Sequence, residues 1–92
     1  MKLSVEFLGL SRRLAQTERC LVTIHDQATL RDVIGHIASR FPALVGPVIS
    51  PETFELTPSY MLNIEGRRAA RDLDAPAQDG QRIILMFMEA GG

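Results

Sequence analysis

The residues with the clearest chemical potential stand together at the end of the sequence: Met88, Glu89, Ala90, Gly91 and Gly92. Glycine has no Cβ, so a Gly-Gly pair lets backbone pass through a gap too narrow for any side chain. It also leaves the carboxylate behind it open to attack. A carboxylate is a poor electrophile until one of its oxygens becomes a leaving group; once activated, the carbonyl of Gly92 can accept a nucleophile. These residues predict a thin, reactive tail, Glu89 to Gly92, reaching about 14 Å from its anchor when extended. The competing reading is a frayed end without a role.

Such a tail needs a rigid anchor. Gln81 to Met88 supplies one, with Ile83, Leu85 and Phe87 alternating with Ile84, Met86 and Met88. Apolar residues on both faces predict a strand at the centre of a sheet. With Ile83 and Leu85 turned towards a helix, Ile84, Met86 and Met88 face outward beside the tail. An exposed apolar stripe suits a docking surface, and methionine adapts to more than one partner. The partner-binding candidates are therefore Gly91, Ala90, Glu89, Met88, Met86 and Ile84. Alternatively, the segment from Pro47 to Pro58 folds over the stripe and hides it.

The remaining elements must position that strand. Lys2 to Gly9 alternates, with Leu3, Val5 and Phe7 on one face, and Arg19 to His25 alternates with Cys20, Val22 and Ile24. Two such runs joined by the polar connection Gly9 to Glu18 predict a hairpin. Thr29 is a helix N-cap with Asp32 three residues on. Leu30, Val33, Ile34, Ile37, Ala38 and Phe41 then form one helical stripe, which Pro42 stops. Gly35 inside that helix predicts close approach to a strand. The stretch from Pro42 to Ser59 holds four of the five prolines, with Val45, Val48, Ile49, Phe54 and Leu56 predicting that it folds partly onto the body. Tyr60 to Glu65 is a third strand and Arg68 to Ala70 a short fourth, and Asp79-Gly80 turns the chain into the last.

A hairpin, one helix and further strands make an α+β domain. The simplest arrangement is a β-grasp roll: a mixed four- to five-stranded sheet with one main helix packed on one face, the first and last strands lying parallel at its centre. Residues 1–88 form the domain and 89–92 the flexible tail.

Composition narrows the function classes. The chain has 92 residues, 46% of them hydrophobic, and a net charge of −1, which gives no electrostatic footprint for nucleic acid or an anionic membrane surface. No apolar run approaches the roughly 20 residues that span a bilayer. The single cysteine, Cys20, excludes an internal disulfide framework and fits a reducing, cytoplasmic compartment. Cys20 reads as a small core residue, the alternative being a nucleophile or persulfide carrier. His25 and His36 lack the companions of a metal site, and no GxxxxGK[ST] loop is present to hold a nucleotide. Arg67, Arg68 and Arg71 cluster near one turn, as a solvated face or as a contact for acidic partners.

Taken together, the chain resembles the ThiS/MoaD family of ubiquitin-like sulfur-carrier proteins along nearly its whole length. The landmarks are the opening strand, Ala28-Thr29-Leu30, Arg40-Phe41-Pro42-Ala43-Leu44, Leu62-Asn63-Ile64-Glu65-Gly66, Asp79-Gly80 and Gly91-Gly92. The resemblance implies a carrier rather than an enzyme. A ubiquitin-activating-type enzyme would adenylate Gly92 with ATP, and a sulfurtransferase or cysteine desulfurase would supply sulfur for a thiocarboxylate. A sulfur-accepting synthase, in molybdopterin, thiamine or other sulfur-compound biosynthesis, would take it. The carrier itself would bind no cofactor. In that family many molybdopterin synthase small subunits end in a Pro-Pro-Val-Ser/Ala-Gly-Gly type of sequence, which Phe87-Met88-Glu89-Ala90-Gly91-Gly92 departs from. Two other readings stay open: a ubiquitin-like modifier conjugated through Gly92, and a β-grasp binding module with an inert tail.

Overall fold

In the computed structural model, which describes residues 1–88, the chain runs β1 (Lys2–Phe7), α1 (Leu10–Ala15), β2 (Arg19–Thr23), α2 (Leu30–Arg40), β3 (Tyr60–Ile64), β4 (Arg68–Ala70) and β5 (Arg82–Phe87). The proposed division at residue 88 therefore falls at the limit of the described residues. Among them, no helix is long and apolar enough to cross a membrane.

The predicted stripe is the buried face of α2: Leu30, Val33, Ile34, Ile37 and Ala38 all point into the core. Thr29 Oγ1 accepts from the Asp32 N–H at 3.1 Å while the Asp32 carboxylate accepts from the Thr29 N–H at 3.0 Å. This reciprocal box satisfies two amides that the helix start would otherwise leave unpaired. The Thr29 amide in turn holds the Asp32 carboxyl below its ordinary range. Pro42 has no N–H to continue the helix, and the chain tightens into a 3-10 turn over Pro42–Leu44. Gly35 does not serve a close approach: a Cβ built there meets nothing within 4 Å. The expectation about that glycine fails because the helix rests on the sheet through its long aliphatic side chains.

All five strands join one sheet in the order β2-β1-β5-β3-β4. β1 and β5 are parallel, with Val5 opposite Ile83 and Phe7 opposite Leu85; the other pairs are antiparallel. A parallel pair cannot be joined by a tight turn, and α2 lies in the chain between these two. The β-grasp arrangement predicted from element order is thus the observed one. α2 covers one face, above Leu3, Val5, Phe7, Val22, Leu62, Ile83 and Leu85, all 3% exposed or less.

Residues 9–18 depart from expectation. A connection was predicted, and the chain instead makes α1, entered through Gly9 at φ 61° and left through Gln16 in the left-handed conformation. Six residues are too few to display a 3.6-residue period, and the buried pair Ser11 and Ala15 is too small and too polar to register as an apolar stripe.

The proline-rich segment is folded down, as its apolar residues predict. Leu44, Val48 and Ile49 are fully buried. Its backbone closes on itself, Gly46 N–H to Ile49 carbonyl and Thr57 N–H to Val48 carbonyl, each at 2.8 Å. Arg31 holds it from α2, donating to the Thr53 carbonyl at 3.1 Å and to the Glu55 carboxylate at 3.4 Å. Phe54 is the exception: it sits at φ 55°, where L residues are disfavoured, and is 41% exposed.

Candidate functional site

The site is built from the C-terminal end of β5 outward. Ile83 and Leu85 turn inward, as predicted, and are buried under α2. Ile49 and Leu56 of the proline-rich segment join them there, lining a small apolar space with Val5, Val33, Ile34 and Leu62. That segment therefore belongs to the helix side of the sheet. It leaves the opposite face uncovered, against the alternative in which it hides the outward residues.

That opposite face carries Ile84, Met86 and, past the strand end, Met88. Only the last two remain accessible: Met86 is half-buried and Met88 is 47% exposed, whereas Ile84 is 8% exposed. Ile84 lies between Glu6 of β1 and Asn63 of β3 in the register, and its own neighbour Arg82 is tied to Glu6 by an ion pair. Glu6, Asn63 and Arg82 thus flank it on that face of the sheet. The predicted stripe of three is thus an accessible pair with a buried residue behind it. Arg82 holds the Glu6 carboxyl below its ordinary range, chiefly by direct hydrogen bonding.

Two residues that the sequence reading passed over complete the surface. Met61 lies opposite Met86 in the β3–β5 register. Leu8 is 43% exposed and follows Phe7 in the parallel register, level with Met86. Both were readable from strict alternation, which sets Lys2, Ser4, Glu6 and Leu8 on one face and Met61 and Asn63 on the same side. Met61, Met86, Phe87 and Met88 line an open groove of about 560 Å³ with Ala69, Ala70 and Arg71 along its other wall.

The strand end is fixed in place. Phe87 packs edge-to-face on Tyr60 at 5.4 Å, and Met88 N–H donates to the Ser59 carbonyl at 2.7 Å. On the other side, the Leu85 carbonyl accepts from Leu8 N–H at 3.1 Å and from the buried Ser11 hydroxyl at 3.2 Å. The end of the central strand, up to Met88, is thus held on both flanks. Gly92, Gly91, Ala90 and Glu89 lie outside the described residues.

The other candidates fall elsewhere. Cys20 is buried in β2, and burial pushes its thiol up against a weaker opposite pull from Arg40, which makes it a poor nucleophile. His25 stands 3.8 Å from Asp32 on the surface. Among the described residues, no three of His, Cys, Asp and Glu come together as a metal-ligand group. Arg12 pairs with Glu18. Arg67, Arg68 and Arg71 enter no ion pair with described residues; Arg71 reaches the methionine groove, while Arg67 and Arg68 lie at the far pole.

No protein-family model matches the chain, and no curated protein sequence matches it. Solved structures do. SAMP1 from Haloferax volcanii superposes with a TM-score of 0.85 at 21% identity, over 100% of both chains. A chain of the Amycolatopsis orientalis BexX/CysO complex matches at TM-score 0.69 and 19% identity, over 98% of this chain and 99% of that one. A chain of the complex between subunits 1 and 2 of the molybdopterin-converting factor from Helicobacter pylori matches at TM-score 0.60 and 18% identity, with full coverage of both. At these identities the likeness speaks for the fold. The chain has the ubiquitin-like β-grasp fold of small archaeal modifier and molybdopterin-converting-factor proteins.

Proposed function

We propose that this chain is a sulfur carrier. An activating enzyme of the ubiquitin-activating type adenylates Gly92, its carboxylate oxygen displacing pyrophosphate from ATP. A hydrosulfide equivalent from a sulfurtransferase or cysteine desulfurase then attacks the acyl carbon, AMP leaves, and a thiocarboxylate remains for a sulfur-accepting synthase. Gly91 provides the narrow passage, Glu89 and Ala90 the reach, and Met86 and Met88 the apolar contact for the activating enzyme, now extended by Leu8 and Met61. The acids, bases and ATP site belong to the partners, so the carrier supplies positioning rather than chemistry.

The observation that carries this reading is the fixing of β5. The most central strand ends at Met88 between two anchored flanks and beside an uncovered methionine face. An inert end would need neither. The neighbours support the class, since they include a small archaeal modifier protein and chains from two-protein complexes.

The test is reconstitution of a Cys20→Ser chain with a ubiquitin-activating-type enzyme, ATP and a sulfide source, followed by alkylation and mass analysis of the C-terminal peptide. An alkylated Gly92 establishes the carrier. Replacing oxygen by sulfur changes the mass almost as oxidising a methionine does, so the alkylation is essential. A chain lacking Gly92 is the control. The second reading, conjugation to target lysines, is favoured by the modifier name of the Haloferax neighbours. It predicts adducts of this chain on other proteins and no dependence on sulfide.

A further inference from the structure

Lysine is almost missing from this chain. Of its ten cationic side chains nine are arginines and one is a lysine, Lys2. The difference matters beside an activated carboxylate. A guanidinium keeps its charge at any working pH, whereas a lysine amine, once deprotonated, attacks an acyl carbon. Arg71, the cation that reaches the methionine groove, is therefore harmless to an activated tail. The one thiol, Cys20, is buried. The amino group of Met1 is engaged: it donates to the Ile24 carbonyl at 2.7 Å and pairs with the Asp26 carboxylate at 3.0 Å. Lys2 is exposed, and its side chain enters no ion pair with a described residue. It is the amine open to reaction.

Position decides which tail Lys2 can meet. Ser4 faces Arg82 in the parallel β1–β5 register, so Lys2 stands level with Gly80, whose N–H donates to the Lys2 carbonyl at 2.7 Å. From Gly80 to Met88 is eight residue positions along the sheet, about 26 Å. The four residues beyond Met88 reach about 14 Å. The four-carbon stem of a lysine closes only about half of the remaining gap. Gly92 therefore falls short of Lys2 in its own copy and can meet it only in another.

We propose that Lys2 is the self-conjugation site of this chain, the amine through which the activated Gly92 of one copy is joined to a second copy. Lys2 acts so only if Gly92 is adenylated as proposed above, and does so when no sulfur donor intervenes. Its Nζ lone pair attacks the acyl carbon of the adenylate and an N–C bond forms. The C–O bond to AMP breaks, AMP leaves with the electron pair, and the ammonium proton passes to solvent. The product is an isopeptide between Gly92 and Lys2. The methionine groove and Lys2 lie at opposite poles of the sheet. A copy docked through Met86 and Met88 thus keeps its own Lys2 clear, and joined copies extend in a line with one type of linkage.

The test divides the roles between two copies: a Lys2→Arg chain as donor and a chain lacking Gly91 and Gly92 as acceptor. They are incubated with a ubiquitin-activating-type enzyme and ATP, without sulfide. Pyrophosphate release reports activation separately from joining, and release from the donor at the parent rate shows that the exposed, charge-preserving substitution leaves the fold intact. The expected result is a single product with the mass of both chains less one water. Its tryptic digest should hold a branched peptide joining Ile83–Gly92 to Met1–Arg12 through Lys2. An acceptor that also carries Lys2→Arg should lose the product, and the parent chain alone should give a ladder of joined copies with no monomer lighter by one water. Product that survives Lys2→Arg in the acceptor, or a cyclised monomer, overturns the proposal. Pyrophosphate release with no joined product overturns it while leaving adenylation of Gly92 standing; no release removes both.

Discussion

The hydroxyl of Ser11 donates to the carbonyl of Leu85 at 3.2 Å, joining the short first helix to the strand that leads to the tail. The same hydroxyl reaches the Leu8 carbonyl at 2.8 Å, and Ser11 is completely buried. One side chain thus fixes α1 against β5, three residues before Met88. Removing it leaves the Leu8 carbonyl without that donor in a part-buried setting. Ser11→Ala should cost about 1–2 kcal/mol, the net worth of a buried hydrogen bond with its unpaired acceptor. Urea unfolding measures this, and amide exchange at Leu8 should quicken by more than at α2. An unchanged midpoint would mean that the tail anchor does not depend on α1.

The outward residues of β5 should separate by role. Met88→Asp, past the strand end, should weaken activation by the adenylating enzyme about tenfold or more while moving stability by less than about 0.5 kcal/mol, and Met86→Asp, at a half-buried position of the central strand, should weaken activation as much at a stability cost of about 1 kcal/mol. Ile84→Ala should do the reverse, costing about 2 kcal/mol because Ile84 is buried, only 8% exposed. Parallel thermal melts and adenylation assays distinguish them. Equal losses of stability in all three variants would remove the case for a docking surface.

Much of this was legible in the sequence where the periodicity was long. Eleven residues of α2 give three turns of stripe, and β5 with apolar residues on both faces could only be central. The failures have local causes. α1 is too short for its period to show, and its inward residues are small. The burial of Ile84 goes with its place between Glu6 and Asn63 of two other strands, whose register no local pattern states. Gly35 invited a contact because glycine permits one, but permission is not use. The arginine cluster around residue 67 was visible, yet its division between two poles became clear only when the β3–β4 turn was placed.

Acid should act through Glu6. Arg82 lowers its carboxyl from the ordinary 4.5, so the native state favours the ionised form. A group whose folded value is depressed stabilises fully above its unfolded value and loses that contribution as pH falls through the folded one. Stability should therefore hold above pH 4.5 and decline below it. Asp32, lowered from 3.8 by the Thr29 amide, adds a second loss at lower pH. Arg82, pushed up further by its hydrogen bond to Glu6, stays ionised throughout and contributes nothing to this window. Urea midpoints measured from pH 7 to 3 should fall less steeply for Glu6→Gln than for the parent, and an identical slope would exclude the pair as the cause.

The free edge of β2 suggests a last consequence. Among the described residues, β2 borders the sheet with no outer neighbour, and Leu21 on it, 70% exposed, is the most accessible large apolar residue. Such an edge invites pairing with a second chain. Here two of its acceptors are already engaged: Arg40 Nη1 donates to the Leu21 carbonyl at 2.8 Å and Thr17 Oγ1 to the Arg19 carbonyl at 3.1 Å. The long arm of Arg40 also crosses the edge as a charge that a neighbouring strand would have to displace. Arg40→Met keeps the length and removes both donor and charge, so it should raise concentration-dependent association, read by light scattering or sedimentation, with little change in monomer stability. A second substitution, Leu21→Lys, should reverse it by returning a charge to the same edge. Association that Leu21→Lys fails to suppress would place the new contact elsewhere on the molecule.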